Sequence, residues 1–261
     1  MKYYKGKTVL LTGAFGGFGR HFFTQLASYG ADLILSDLAI SSEPSEAWVQ
    51  DKIIAQIPAD LSTSEGCLNL YNKVMEVEKF PDVIVHNAGI GYGGAFVDVP
   101  LVNIEKTVNL NLLAAIRLNK LFLPQMISNR SGHLIYVSSV AGFVATPYGV
   151  AYSASKFGLR AFAMATHGEV ERYGIKSSIV YPFWSKTPIM KSQTFGNPDT
   201  KTMPDYYASD PGYVVRTTLR RAAKGKLHIC PGIFSKIMWQ AVRFTPVIAE
   251  QRKMREELID Q

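Results

Sequence analysis

The chain lacks most of the features that would assign it to several large classes of protein. It has two cysteines, Cys67 and Cys230, far apart and without CxxC or metal-ligand spacing. Neither a disulfide framework nor a metal site is expected, and a reducing, cytoplasmic setting fits. No apolar run reaches the roughly 18 residues that a membrane-spanning helix needs. Met1 to Lys7 is polar, and the apolar run after it leads into a glycine-rich turn instead of a small-residue cleavage site, so no secretory signal is read. Internal repeats, low-complexity tracts, zinc-finger spacing and RNA-binding motifs are also missing. The net charge of +7 is spread along the chain, with one modest cluster at Arg216, Arg220, Arg221, Lys224 and Lys226. A solvated helix face with cations near its C-terminus accounts for that cluster, and no nucleic-acid partner is expected.

What is present is enough apolar residue, 47% of 261 positions, to fill one large core, so residues 1–261 read as a single domain. Apolar β-type runs at Thr8 to Leu11, Asp32 to Ser36, Val83 to His86, His133 to Ser138 and Ser177 to Tyr181 alternate with longer segments of helical period such as Gly17 to Tyr29. That alternation predicts an α/β fold, a doubly wound Rossmann-type parallel sheet with helices on both faces. After Pro182 the pattern breaks: residues 183–207 carry three prolines and few periodic apolar positions, and read as a loop or substrate lid. Residues 232–261 form an aromatic and basic C-terminal extension.

The first strand runs into Thr12-Gly13-Ala14-Phe15-Gly16-Gly17-Phe18-Gly19 and then an amphipathic helix. Glycines at 13, 17 and 19 let the backbone turn tightly and approach a pyrophosphate, and the helix N-terminus offers N–H groups to the anion. A glycine cluster alone is weak evidence, but here strand, loop and helix stand in the required order. Eighteen residues after Gly19, Asp37 closes the second strand, where a carboxylate accepts from the adenosine ribose hydroxyls and repels a 2′-phosphate. With no Arg or Lys at Gly16 or Leu38, NAD is favoured over NADP. Asp60, in Ala59-Asp60-Leu61, reads either as a receiver of the adenine amino group or as a helix N-cap before Ser62 to Glu65.

Tyr152 and Lys156 lie four apart in a helical stretch that ends at Gly174. A neighbouring ammonium is expected to lower the phenol pKa toward the neutral range, which would make Tyr152 an acid/base. Alone, a Tyr-xxx-Lys pair is usually packing plus a solvated lysine. Ser138 and Ser139 close an apolar strand at the edge where parallel sheets bind ligands.

With TGxxxGxG, His86-Asn87-Ala88-Gly89, a serine thirteen before the tyrosine, and YxxxK in this order, the chain resembles the short-chain dehydrogenase/reductase family over residues 8 to 190. The resemblance implies about seven strands and hydride transfer between NAD and a secondary alcohol or ketone. It implies Ser139 on the substrate oxygen, Tyr152 as acid/base, Lys156 on the nicotinamide ribose, and Asn111 in a local helix distortion holding a relay water. Asn109 would cap or meet solvent. On the cofactor it implies Gly13, Phe15, Gly17, Phe18 and Gly19, then Asp37, Asp60 and Leu61, then Asn87, Ala88 and Gly89, with Tyr152, Lys156, Pro182 and Thr187 at the nicotinamide end.

Two positions depart from the family pattern. His86 replaces an amide and is read as structural, and Phe183 follows Pro182 where a glycine is usual, so its ring is expected to crowd the nicotinamide wall. A homodimer or homotetramer through residues 104–123 and 152–173 is likewise implied. A second reading keeps the fold as an NAD-binding regulatory or structural protein without turnover.

Tyr92, Phe143, Tyr148, Phe183, Trp184 and Met190 are expected near the reacting carbon, which points to a hydrophobic substrate. Ile233, Phe234, Ile237, Met238, Trp239, Val242 and Phe244, with Lys236 and Arg243, read either as a helix packed on the core or a partner subunit, or as an interfacial helix contacting a membrane.

Overall fold

The computed structural model describes residues 1–40, 47–196 and 207–244. Parts of two expected segments, 197–206 of the lid and 245–261 of the extension, lie outside the described residues. Seven parallel strands form one sheet: β1 (Thr8–Thr12), β2 (Asp32–Asp37), β3 (Ile53–Pro58), β4 (Val83–His86), β6 (Gly132–Val137), β7 (Ile175–Val180) and β9 (His228–Ile229). Their order is β3-β2-β1-β4-β6-β7-β9. A second sheet of two short strands pairs β5 (Gly93–Gly94) with β8 (Thr194–Phe195). The helices are α1 (Gly17–Ser28), α2 (Ala47–Gln50), α3 (Ser64–Met75), α4 (Leu101–Val108), α5 (Ala114–Ser128), α6 (Val150–Val170), α7 (Pro211–Ala222) and α8 (Ile233–Phe244).

The alternation seen in the sequence is thus a single doubly wound α/β domain. Its central strands are buried because both faces are covered: every residue of β1 and of β4 is buried. Two apolar clusters fill the two sides. One packs α3, α5 and α6 against the sheet around Leu70, Phe122 and Leu159; the other packs α1 and α7 around Phe22, Leu26 and Leu219.

The order reverses between β1 and β4, and the carboxyl ends of these two strands open a crevice. A polar clamp fixes its floor. Asn87, just past β4, donates through Nδ2 to the carbonyls of Thr12 (3.1 Å) and Gly13 (2.8 Å). The backbone N–H groups of Asn87 and Ala88 both donate to Thr12 Oγ1. Gly13 sits at φ +62, and a Cβ on it would lie 2.7 Å from the Ala88 backbone. Gly19 brings α1 onto the loop so closely that a Cβ would drive into the carbonyls of Gly13 and Ala14.

The long helical stretch across 104–123 is interrupted. A π turn at Asn109–Leu113 separates α4 from α5, and such bulges frequently mark functional positions. The helix that holds Tyr152 closes through a 3₁₀ turn at Glu171–Tyr173 onto Gly174 at φ +78, the left-handed cap expected there.

Among the described residues no helix is long and apolar enough to cross a membrane. The C-terminal helix turns Trp239 inward: its ring stacks on Tyr181 at 5.0 Å, lies edge-on to Phe143 at 5.2 Å, and has the Arg160 guanidinium 5.1 Å from its centroid. Trp239 is therefore a packing residue, and Phe143, fully buried beneath it, is a core residue that does not face a reacting carbon.

Two glycines give opposite expectations in urea unfolding. Gly19→Ala overpacks the loop and should cost about 1–3 kcal/mol. Gly168→Ala, in an exposed helix position with no atom within 4 Å of the new methyl, should gain about 0.5–1 kcal/mol.

Candidate active site

Three elements converge on the crevice: the end of β6, the first two turns of α6, and the segment after β4. Val137 ends β6 with its carbonyl facing α6, where it accepts from Lys156 Nζ at 2.9 Å. Ser138 Oγ donates to the Lys156 carbonyl at 3.1 Å, so strand and helix are stitched together at the lysine itself. Ser139, one residue on, starts a 3₁₀ turn and accepts from the Ala141 N–H at 3.1 Å. Its hydroxyl lies close enough to the Tyr152 phenol to favour the phenolate. Lys156 Nζ lies 5.6 Å from the centre of the Tyr152 ring. The structure thus brings Ser139, Tyr152 and Lys156 into one cluster.

Asn111 joins it through the π turn. Its Oδ1 accepts from the Ile90 N–H at 2.9 Å, and its Nδ2 donates to the Ile90 carbonyl at 2.8 Å and to Ser155 Oγ at 3.0 Å. Ser155 Oγ donates in turn to the Tyr152 carbonyl at 2.7 Å. The amide therefore ties the post-β4 segment to α6 beside the tyrosine. Gly89 lies against Asn111 and Lys156, and Gly91 against the Tyr152 ring. Ser155 was not singled out from the sequence; its only signal was a position between the tyrosine and the lysine. Asn109, read as a cap or solvent contact, accepts from Arg117 at 3.4 Å instead.

Electrostatics correct one expectation. Burial raises the Tyr152 pKa above its usual value, and the Ser139 hydroxyl only partly opposes it. The lysine does not pull the phenol into the neutral range, because desolvation of a phenolate outweighs a cation placed beyond hydrogen-bond reach. Burial acts on Lys156 as well and lowers it to about 8.

The glycine loop fits a dinucleotide phosphate. Gly16 caps α1 with no side-chain hydrogen bond and no acid stands in its first turn, whereas Thr63 and Asp210 cap α3 and α7 with their own side chains. The first-turn N–H groups of α1 are thus left without a side-chain acceptor, as an anion requires. Thr187 reaches the same loop: a Cβ on Gly17 would come 2.6 Å from the Thr187 Cβ. Asp37 stands at the lip, accepting from the Phe15 N–H and the Leu38 N–H at 2.8 Å each. Arg20, which the sequence reading passed over, donates to the Phe15 carbonyl at 3.1 Å from one turn inside α1. Phe15 and Phe18 pack on the α1 side of the sheet, Phe15 against Phe23.

Several expected positions look elsewhere. Asp60 accepts from the N–H and hydroxyl of Ser62, and those bonds hold its carboxyl below the usual range. The cap of α3 is Thr63, accepting from Gly66 N–H, so Asp60 is a turn former and not the helix N-cap. The Leu61 side chain is buried in the core, which leaves its backbone alone to meet a ligand. Pro182 is buried with its carbonyl accepting from Val140 N–H. Phe183 points its ring at Phe234 of α8, 5.6 Å away, so it packs under the C-terminal helix and does not crowd the loop wall. His86 is buried, bonds Asn119 Oδ1 at 2.8 Å and stacks on Tyr136, whose hydroxyl takes the Asn119 Nδ2 at 2.6 Å. Burial lowers it to about 4, so it stays neutral. Beside the start of α6, Tyr92, Phe96, Ile104, Tyr148 and Val150, with Asn103 and Thr107, line a shallow groove of mixed polarity. Tyr148 holds a left-handed φ of 60 there, with its carbonyl accepting from Gly94 N–H.

Tyr152→Phe removes the hydroxyl and keeps the ring. It should lower turnover on the order of 10² or more while NADH binding, followed by nucleotide fluorescence, stays within about threefold, since packing survives. Retained turnover would move the proton transfer to another group.

Comparison with known proteins gives a consistent picture. A family model described as short chain dehydrogenase matches residues 7–197. Epidermal retinol dehydrogenase 2 of Mus musculus is 32% identical over 231 residues, 86% of this chain and 73% of that protein. A short chain dehydrogenase/reductase from Burkholderia phymatum in complex with NAD has a TM-score of 0.77 at 21% identity, covering 93% of this chain and 94% of that one. A short chain dehydrogenase from Burkholderia cenocepacia in complex with NADP has a TM-score of 0.78 at 17% identity, covering 97% and 98%. These two structures share the fold.

Proposed function

The chain belongs to the short-chain dehydrogenase family, and on that premise we propose that it moves a hydride between NAD(H) and a secondary alcohol or its ketone, preferably an apolar one. The observation that carries the reading is the cluster of Ser139, Tyr152 and Lys156, with the serine hydroxyl beside the phenol and the ammonium fixed behind it. A bound nicotinamide supplies and accepts the hydride. Ser139 holds the substrate oxygen, and Tyr152 exchanges a proton with it. Because burial keeps the phenol protonated, the resting site is in the form that donates to a ketone oxygen. Lys156 holds the nicotinamide ribose and Asn111 positions the helix turn that carries the tyrosine. Thr187 holds the nicotinamide carboxamide, and the loop of Gly13, Gly17 and Gly19 holds the pyrophosphate.

NAD is the preferred cofactor on this reading, because the Asp37 carboxylate stands at the lip of the glycine loop and repels a 2′-phosphate. The aromatic and aliphatic side chains Tyr92, Phe96, Ile104, Tyr148 and Val150 gathered beside α6 support a hydrophobic substrate. A relative named as a retinol dehydrogenase points the same way.

Titration should show NAD binding more tightly than NADP, with Asp37→Ala narrowing the gap by about tenfold or more. Tighter NADP binding in the unmodified protein would reassign this lip to Arg20. With NADH absorbance as the readout, kcat/KM should rise from short polar to lipid-sized alcohols, and a preference for a sugar or hydroxy acid would overturn the substrate part.

The pH dependence follows from Lys156. Its folded pKa of about 8 lies below that of a free lysine, so the ammonium is lost as pH rises through about 8, while the raised phenol of Tyr152 still holds its proton. The kcat/KM for NADH in ketone reduction reports the free enzyme and should fall above that pH. A flat profile to a full unit higher would contradict the assignment.

A further inference from the structure

The C-terminal helix α8 is not used by the chemistry above, and its two faces differ. Ser235, Met238, Trp239 and Val242 turn inward: Ser235 Oγ donates to the Tyr181 carbonyl and Trp239 packs among Tyr181, Phe143 and His228. At 3.6 residues per turn, Lys236, Gln240, Ile233, Ile237, Ala241 and Phe234 follow one another around the opposite arc, and all six are exposed. Ile233 and Ile237, one turn apart, are 64% and 57% exposed. With Phe234 and Ala241 they make a contiguous exposed apolar strip bordered by Lys236 and Gln240, the kind of surface that marks an interaction site.

We propose that this face of α8 docks on an anionic lipid bilayer. Charge selects that occupant over a second copy of the chain. Lys236 borders the apolar arc, and the Lys236 and Arg221 charges both act on the Cys230 thiol just before α8, so both stand close to this end of the helix. The chain as a whole carries +7. Two copies meeting through α8 would bring these cations together, whereas anionic headgroups neutralise them while the isoleucines enter the acyl boundary.

The surface also adjoins the loop after β7. Phe234, at the edge of the exposed arc, packs on Phe183 at 5.6 Å and on Tyr207 at 5.2 Å, the residues at the two ends of the segment expected to cover the substrate. Docking through α8 would therefore set the substrate entrance at the membrane, where an apolar alcohol or ketone is most concentrated. This delivery role rests on the apolar-substrate reading; the docking itself does not.

Sedimentation of the full chain with phosphatidylcholine vesicles, with and without phosphatidylserine, tests the proposal. The protein should pellet with the phosphatidylserine vesicles at low salt and be released at high salt. The double variant Ile233→Asp, Ile237→Asp should bind about tenfold or more weakly, and Lys236→Glu about fivefold or more. Both variants should keep the unmodified rate on a short soluble alcohol, since neither position reaches the crevice. No pelleting at low salt, pelleting unaffected by the aspartates, or a drop in solution mass on introducing them would overturn it, the last by assigning the face to a second copy. Failure of the oxidoreductase reading would show separately, as absent turnover on every alcohol while vesicle binding persists.

Discussion

Lys156 carries an ammonium into the interior, and the site is built around what that requires. A buried lysine is costly unless its charge is hydrogen-bonded, and even then its pKa falls. Here the Val137 carbonyl at the end of β6 takes one N–H, so the strand end must stop one residue short of the serines and face α6. Ser138 returns the bond to the lysine backbone, which leaves Ser139 as the first hydroxyl free to face the phenol. The helix cannot slide along the strand without orphaning one of these groups. Fixing the lysine therefore fixes the register of Ser139 against Tyr152, and that register is what the proposed proton transfer needs.

A second constraint holds the other half of the crevice. Thr12, Gly13, Asn87 and Ala88 lock the ends of β1 and β4, and Asn111 ties Ile90 of the post-β4 segment to α6. The π turn makes that possible, because an extra residue in the turn re-aims the asparagine inward where an uninterrupted helix would keep its regular spacing. Phosphate loop and catalytic helix are thus connected through a short chain of hydrogen bonds, each with a named donor and acceptor.

The fold was legible in the sequence because a parallel sheet covered on both sides demands apolar strand centres, and Val9–Leu11 of β1, Val83–Val85 of β4 and Leu134–Val137 of β6 are such runs. Gly13 and Gly19 were legible because no other residue fits the approach of loop, strand and helix. Helical spacing put Tyr152 beside Lys156, and the family resemblance put Ser139 with them. Spacing did not disclose which way the phenol would shift, since sequence distance gives proximity to the ammonium but not the depth of burial that outweighs it.

Phe183 and Phe143 were misread for a related reason: their rings are aimed by α8, which contacts them from 50 to 100 residues away in the chain. Thr63 displaced Asp60 as the cap through a shift of less than one turn. Asn119, the partner of His86, sits 33 residues on in an otherwise apolar helix face and carries no local signal at all.

The central claim is that hydride moves to and from a substrate carbon at this cluster. NADH carrying deuterium at the reactive C4 position, incubated with the protein and an equimolar mixture of a lipid-sized and a short polar ketone, tests it when the products are weighed by mass spectrometry. The account predicts one deuterium on the carbinol carbon of the lipid-sized alcohol, ahead of the polar one; products without deuterium, or none formed with either ketone, would contradict it.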